Sequence, residues 1–371
     1  MSLFFTALRP IPGALWRELQ SLTLHGPRAS AALKTVLSVL LAVAAATLLR
    51  LDDLSWAAFS GYMVMRADVT ETIPRGLMRI AGTVAGALFG LLLAPAVADS
   101  PPVLIGGLFV VSWIGVFQSM ASRYSYAWVF FGLTAGLVLT DALAAPATVL
   151  HFAGTRVAEI VVGTCACLLV ASLFAGDTPA AAAPRREPPG SRGGGLRLAL
   201  SEEWLREHWP LVMHSTRAAL AVALLPLVWR WFEIEDFSQT AVTSYVLMLV
   251  PASVVRERRH HTIYERMAHR TLGCLLGSAI AIACLSAFSD DLPVAVLTLC
   301  AGIWLGNQIQ AGREDIGYLG TQFVLGLLIT FVQGPAPVAS ILPGLERLLG
   351  IVIGLAMLYF LILVWPLPDD A

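Results

Sequence analysis

Six basic residues of this 371-residue chain fall inside apolar runs: Lys34, Arg79, Arg156, Arg217, Arg270 and Arg347. A charged side chain in hydrocarbon costs about 2.5 to 3.5 kcal/mol on insertion scales, so each needs water, a partner or a use. A guanidinium stays charged and presents a planar fork that matches a carboxylate, so the chemistry on offer is the capture of an organic anion. The spacing argues against accident. Lys34 and Arg217 are 183 residues apart, as are Tyr62 and Tyr245, and Met65 and Met248. At an offset of 191, Arg79, Gly82 and Gly86 match Arg270, Gly273 and Gly277; Trp113 and Gly115 match Trp304 and Gly306; Arg156 and Gly163 match Arg347 and Gly354. One insertion of eight residues around Val255 to His261 accounts for the change of offset.

The elements that must position these residues are apolar helices. The chain is 57% hydrophobic and 13% charged, against about 25% charged in an ordinary soluble domain, so a water-soluble enzyme is excluded. A net charge of -1 gives no basic field for nucleic acid. Hydropathy predicts spans at 30-49, 54-66, 77-97, 102-120, 124-142 and 148-174, then 210-230, 237-251, 267-288, 292-311, 315-333 and 344-365. Spans 54-66 and 237-251 are short and hold Ser55, Ser60, Thr240, Thr243 and Ser244, which suits buried, broken or re-entrant segments sheltered by protein. The organisation expected is an N-terminal interfacial segment 1-29, a first transmembrane set 30-175, a cytoplasmic linker with interfacial helix 176-209, a second set 210-366 and a tail 367-371. The fold class is all-α: a polytopic membrane protein of two parallel six-helix repeats with a pseudo-two-fold axis along the membrane normal. Sixteen arginines fall in connections on the side of the termini, against Arg50 and Arg230 opposite, which places both termini in the cytoplasm. The five cysteines lack zinc or redox spacing and read as small core residues.

Each singled-out residue has a structural reading beside the functional one. Arg79 and Arg270 either snorkel to headgroups beside Glu71 or Glu265, or line an electropositive mouth; Gly82, Gly86, Gly273 and Gly277 let a neighbouring helix approach them. Arg156 with Glu159, and Arg347 with Glu346, could be ion pairs or an outer anion station. Lys34 and Arg217 could reach the interface or the path. Tyr62 and Tyr245 could serve an aromatic ring or simply pack, and Trp113 and Trp304 read first as helix contacts. Gln118, Asn307, Gln308 and Gln310 need polar partners when buried. Glu159 is the best candidate for carrying a proton. No metal site, cofactor or nucleotide-binding loop is expected, nor an enzyme's converging nucleophile and acid–base groups.

Arg79-x-x-Gly82-Thr83-x-x-Gly86, its second copy with Cys274 in place of Thr83, and the arrangement of spans resemble the fusaric acid resistance family, related to bacterial aromatic acid exporters. The likeness covers about 30-175 and 210-365. It implies a bacterial inner-membrane permease exporting hydrophobic or aromatic carboxylates, in some systems beside a periplasmic adaptor, with a distant likeness to plant anion channels. Expected partners are an organic anion and anionic phospholipid, with a homo-oligomer left open. The rival readings are a membrane scaffold, or an anion channel without alternating access.

Overall fold

The computed structural model describes residues 6–98, 100–175, 202–232, 237–257, 261–288, 291–334 and 342–365. The linker 176–201, Arg258 to His260, the tail 367–371 and the side chains of Glu346 and Arg347 lie outside the described residues. The described chain is all-α. Eight of its helices are long and apolar enough to cross a membrane, as expected of a polytopic membrane protein.

In chain order the helices are α1 (Ile11–Gln20), α2 (Pro27–Leu48), α3 (Leu54–Val64), α4 (Val69–Val97), α5 (Pro101–Ala121), α6 (Ser125–Ala144) and α7 (Val149–Leu173). They are followed by α8 (Glu202–Ala223), α9 (Leu225–Phe232), α10 (Phe237–Leu247), α11 (Ala252–Arg256), α12 (His261–Ala287), α13 (Leu292–Gln310), α14 (Gly317–Phe331) and α15 (Leu342–Val364). The segment around Trp204 to Trp209, expected as a separate interfacial helix, is instead the opening of α8, with Pro210 carried inside the helix. The exposed positions in the second half of α4 are apolar, Leu88 and Leu92 among them. Cys167 and Cys274 are buried as expected, whereas Cys165 is exposed.

The two short helices are the exception to membrane length. At 1.5 Å per residue, the eleven residues of α3 or α10 rise about 16 Å, roughly half the hydrocarbon thickness. Nine residues of α3 are buried, Ser55, Ser60 and Tyr62 among them, so protein encloses its polar groups and its ends. Asp53 caps its start by accepting from the Ser55 N–H at 3.1 Å. α3 is wrapped by α2 and α7, and α10 lies against α15 and α8.

Glycines set the tightest packing. α4 makes its broadest contact with α6, and α12 with α14. A Cβ at Gly82 would fall on the carbonyl of Ala127, and one at Gly86 would lie 2.5 Å from the Phe131 carbonyl oxygen. In the second pair, Gly273 meets the Leu319 carbonyl and Gly277 that of Phe323. Between the sets the packing is crosswise: α5 lies along α8, and α13 along α2. Trp113 of α5 donates its indole N–H to Thr216 at 3.2 Å, and Asn307 of α13 donates to the Thr35 hydroxyl at 3.1 Å.

Helix α1 is amphipathic, with Ile11, Ala14 and Glu18 buried and Trp16 63% exposed. Glu18, 1% exposed, clamps it to the far end of the second set. Its carboxylate accepts from the Arg313 and Glu314 backbone N–H groups (2.5 and 2.7 Å), from Arg28 (2.7 Å) and from Ser21 (3.1 Å). Gly312 leaves the room, since a Cβ there would overlap the carboxylate. Arg28 also bonds the Gln308 carbonyl, and Arg17 pairs with Glu314 at 2.7 Å. Burial alone would raise the Glu18 pKa, but the bonds from Glu314, Arg28, Ser21 and Arg313 outweigh it and leave the pKa below the usual glutamate value.

Two predictions follow from these contacts. Gly82→Ala or Gly277→Ala should lower stability in detergent by about 1–3 kcal/mol, because a helix backbone must move; Gly106→Ala, with nothing within 4 Å of the new methyl, should be neutral in the same thermal melts. The Glu18 clamp favours the ionised carboxylate, so its stabilisation is complete above the ordinary glutamate range and disappears as pH falls through the lowered pKa. Glu18→Gln should therefore melt earlier at pH 7, and its melting midpoint should vary less than that of the unaltered protein between about pH 5 and pH 3.

Candidate anion path

Arg79 sits on the α4 face that carries Gly82 and Gly86, three and seven residues on, where a helix repeats its facing positions. The glycines bring α6 close, and the guanidinium is enclosed, with only 1% of the residue exposed. Its ε N–H donates to Ser60 of the short helix α3 at 3.0 Å, an η nitrogen reaches the Tyr126 hydroxyl at 3.4 Å, and the group lies 4.0 Å from the centre of the Phe130 ring. Arg270, 2% exposed, is held in the corresponding way by the short helix α10. It donates to Thr243 at 3.0 Å and to the Gln322 amide oxygen at 2.9 Å. An amide thus stands in the second set where a ring face stands in the first.

Neither arginine snorkels, and neither meets Glu71 or Glu265. Among the described residues no carboxylate lies within 4 Å of either one, whereas Arg17, Arg28 and Arg156 all have such partners. Taking a guanidinium out of water costs several kcal/mol. Neutral acceptors and a ring face offset part of that and cancel none of the charge. The buried ε nitrogen of Arg270 has no hydrogen-bond partner among the described residues.

Two further arginines belong to the same arrangement and were counted in the sequence as loop charges. Arg75 lies one turn before Arg79, inside α4; its ε N–H donates to the Met63 carbonyl near the end of α3 at 3.1 Å, and its guanidinium lies 3.7 Å from the centre of the Tyr126 ring. Arg266 stands one turn before Arg270, with an η nitrogen 3.5 Å from the Val246 carbonyl of α10 and its guanidinium 4.3 Å from the centre of the Tyr318 ring. The signal for them was present: 75 and 266 are separated by the same 191 residues as 79 and 270.

The other embedded cations are spread over different partners. Lys34 is buried and donates to the Phe174 carbonyl at 2.9 Å. Arg217 is buried, its guanidinium 5.3 Å from the Trp365 ring centre. Arg156 forms the ion pair foreseen with Glu159 at 3.2 Å, reaches Asp53 at 3.5 Å and lies over Trp56 at 4.3 Å. Glu159 also accepts from the Asp53 backbone N–H at 3.0 Å. The rings bridge between the sets. Tyr62 donates to Gln310 at 2.9 Å, while the Tyr245 hydroxyl enters a notch left by Gly115 and Gly132, buried and without a hydrogen-bond partner among the described residues. Trp113 stacks on Phe117 at 5.0 Å, and Trp304 packs against an apolar cluster that includes Ile303 and Leu327.

Residues 29–187 match the family described as the fusaric acid resistance protein family. The p-hydroxybenzoic acid efflux pump subunit AaeB of Edwardsiella ictaluri (strain 93-146) is 36% identical over 105 residues, which are 27% of this chain and 16% of that protein. The uncharacterized transporter YdhK of Escherichia coli (strain K12) is 30% identical over 142 residues, 36% of this chain and 20% of the relative. The aligned stretch therefore spans no more than a fifth of the length of these curated relatives. No solved structure matches. The matched segment runs from the third residue of α2 through α7, with Arg79, Gly82 and Gly86 at its heart, and it is this part of the chain that is similar to the fusaric acid resistance protein family.

Proposed function

We propose that the chain is a bacterial inner-membrane permease that exports hydrophobic or aromatic carboxylate anions, with both termini cytoplasmic. The observation that carries this reading is the pair Arg79 and Arg270, two enclosed guanidinium groups held by neutral acceptors with no carboxylate within 4 Å among the described residues. An entering carboxylate would supply the missing counter-charge, and Phe130 and Tyr126 offer faces for a ring. The acid named for the AaeB relatives, p-hydroxybenzoic acid, is of this class. Lys34, Arg156, Arg217 and Arg347, with Tyr62, Tyr245, Trp113 and Trp304, would line the remainder of the route.

The two sets are read as six-helix repeats about an axis along the membrane normal. Support comes from contacts that recur: Arg79 on Ser60 and Arg270 on Thr243, Gly86 under Phe131 and Gly277 under Phe323, α5 along α8 and α13 along α2. The exposed Trp16 and Arg17 of α1 suit an interface with anionic phospholipid. A periplasmic adaptor and a homo-oligomer belong to this reading as partners. For a monoanion leaving a negative interior, the membrane potential contributes about 2.3 kcal/mol per 100 mV outward. Glu159 would add proton coupling in this reading, because protonating it would release Arg156 from its nearer carboxylate.

In sealed vesicles containing the purified chain, labelled p-hydroxybenzoate should move in the outward sense. Arg79→Gln with Arg270→Gln should slow it about tenfold or more while the folded yield changes far less. Equal rates in the two proteins would overturn the reading. Glu159→Gln should abolish the dependence of that flux on an imposed proton gradient, and an unchanged dependence removes the coupling role.

A further inference from the structure

We infer that Arg75 and Arg266 are specificity-determining residues: with Arg79 and Arg270 they form two stations of paired guanidinium groups, each of which takes the carboxylate of an aryl monocarboxylate. This rests on the export reading and locates where its substrate is recognised. The two arginines of each pair are four residues apart on one helix, so they share a face. They are also in register with the short helix opposite. Arg79 bonds Ser60 and Arg75 bonds the carbonyl of Met63, three residues on; Arg270 bonds Thr243 and Arg266 reaches the carbonyl of Val246, again three residues on.

A single tyrosine joins the first pair, its ring under Arg75 and its hydroxyl at Arg79. In the second pair Tyr318 lies under Arg266, and Gln322, one turn further along α14, holds Arg270. Two like charges so close repel, and among the described residues no carboxylate within 4 Å offsets any of the four. The ε N–H groups of Arg266 and Arg270 are buried donors without acceptors among the described residues. What such a station lacks is a ligand that brings negative charge and acceptor atoms and no donor of its own. A carboxylate has those properties, and the neutral amide of the same shape does not. Because Met63 and Val246 lie at the C-terminal ends of the short helices, an anion docked there also touches the groups that hold those ends.

The test is equilibrium binding of labelled benzoate and benzamide to the full chain in phosphatidylcholine nanodiscs, which contain no competing anionic lipid. The unaltered protein should bind benzoate in preference to benzamide. Arg75→Gln with Arg266→Gln should weaken benzoate binding about tenfold or more, with the corresponding Lys pair intermediate because it keeps charge and loses the fork. The exposed Arg123→Gln serves as control and should bind as the unaltered protein does. Should the Gln pair fail to fold, butanedione modification of the unaltered protein, read by mass spectrometry, gives the same answer: benzoate should protect Arg75 and Arg266 and leave Arg123 reactive. Unchanged benzoate affinity in the Gln pair, or no protection, would overturn the inference while p-hydroxybenzoate export still stood. An unaltered protein that neither binds benzoate nor moves p-hydroxybenzoate would remove both readings.

Discussion

A guanidinium withdrawn from water must be held by something, and in this chain what holds Arg79 and Arg270 is neutral. Ser60, Tyr126, Thr243 and Gln322 supply dipoles, and Phe130 supplies a ring face. The cost of desolvation is met by geometry instead of by an opposite charge, so the geometry has to be tight. That requirement explains why α4 and α6, and α12 and α14, touch backbone to backbone at glycine. It also explains why a polar, half-length helix is enclosed beside each arginine. The opposite end of the first set uses another solution, with Arg156 among Asp53 and Glu159. The two ends of the same set thus differ in whether the cation is already neutralised.

Much of this was legible in the sequence because hydropathy and repetition are strong signals. Most helix ends fall within a few residues of the apolar runs, as with 102-120 against Pro101–Ala121. The spacing of Arg79, Gly82 and Gly86 marked both the charge and the close contact around it. Arg75 and Arg266 were missed for a physical reason: each stands within two turns of its helix start, beside polar residues, where a hydropathy window sees a loop. The matching of α6 with α14 was also hidden, since Tyr126 and Tyr318 are 192 residues apart and not 191. Glu18 gave no signal, because its acceptor role depends on backbone N–H groups almost three hundred residues away, and backbone carries no residue type.

The short helices had been marked by their serines and threonines as segments that hydrocarbon would not tolerate alone. What no pattern conveyed is that their C-terminal ends are held by arginine side chains from the next long helix. A carbonyl near the end of a helix lacks its usual donor, and a guanidinium is well suited to replace it. Arg75 plays that part at the Met63 carbonyl, whereas the Val246 carbonyl that Arg266 reaches also accepts from the Leu249 backbone N–H.

Crosswise packing of α5 on α8 and of α13 on α2 has a consequence for how far either set depends on the other. Without the second set the indole N–H of Trp113 would lose its Thr216 acceptor, whereas the Thr35 hydroxyl would keep its bond to the Ala31 carbonyl and lose only the amide of Asn307. The two sets cure that for each other by reciprocal exchange, the opening helix of each lying along the fourth span of the other. Both sets lie in one chain. That tether raises the local concentration of each set at its partner, so the crosswise contacts form as an intramolecular event, with a ring face beside the buried arginine in one set and an amide in the other.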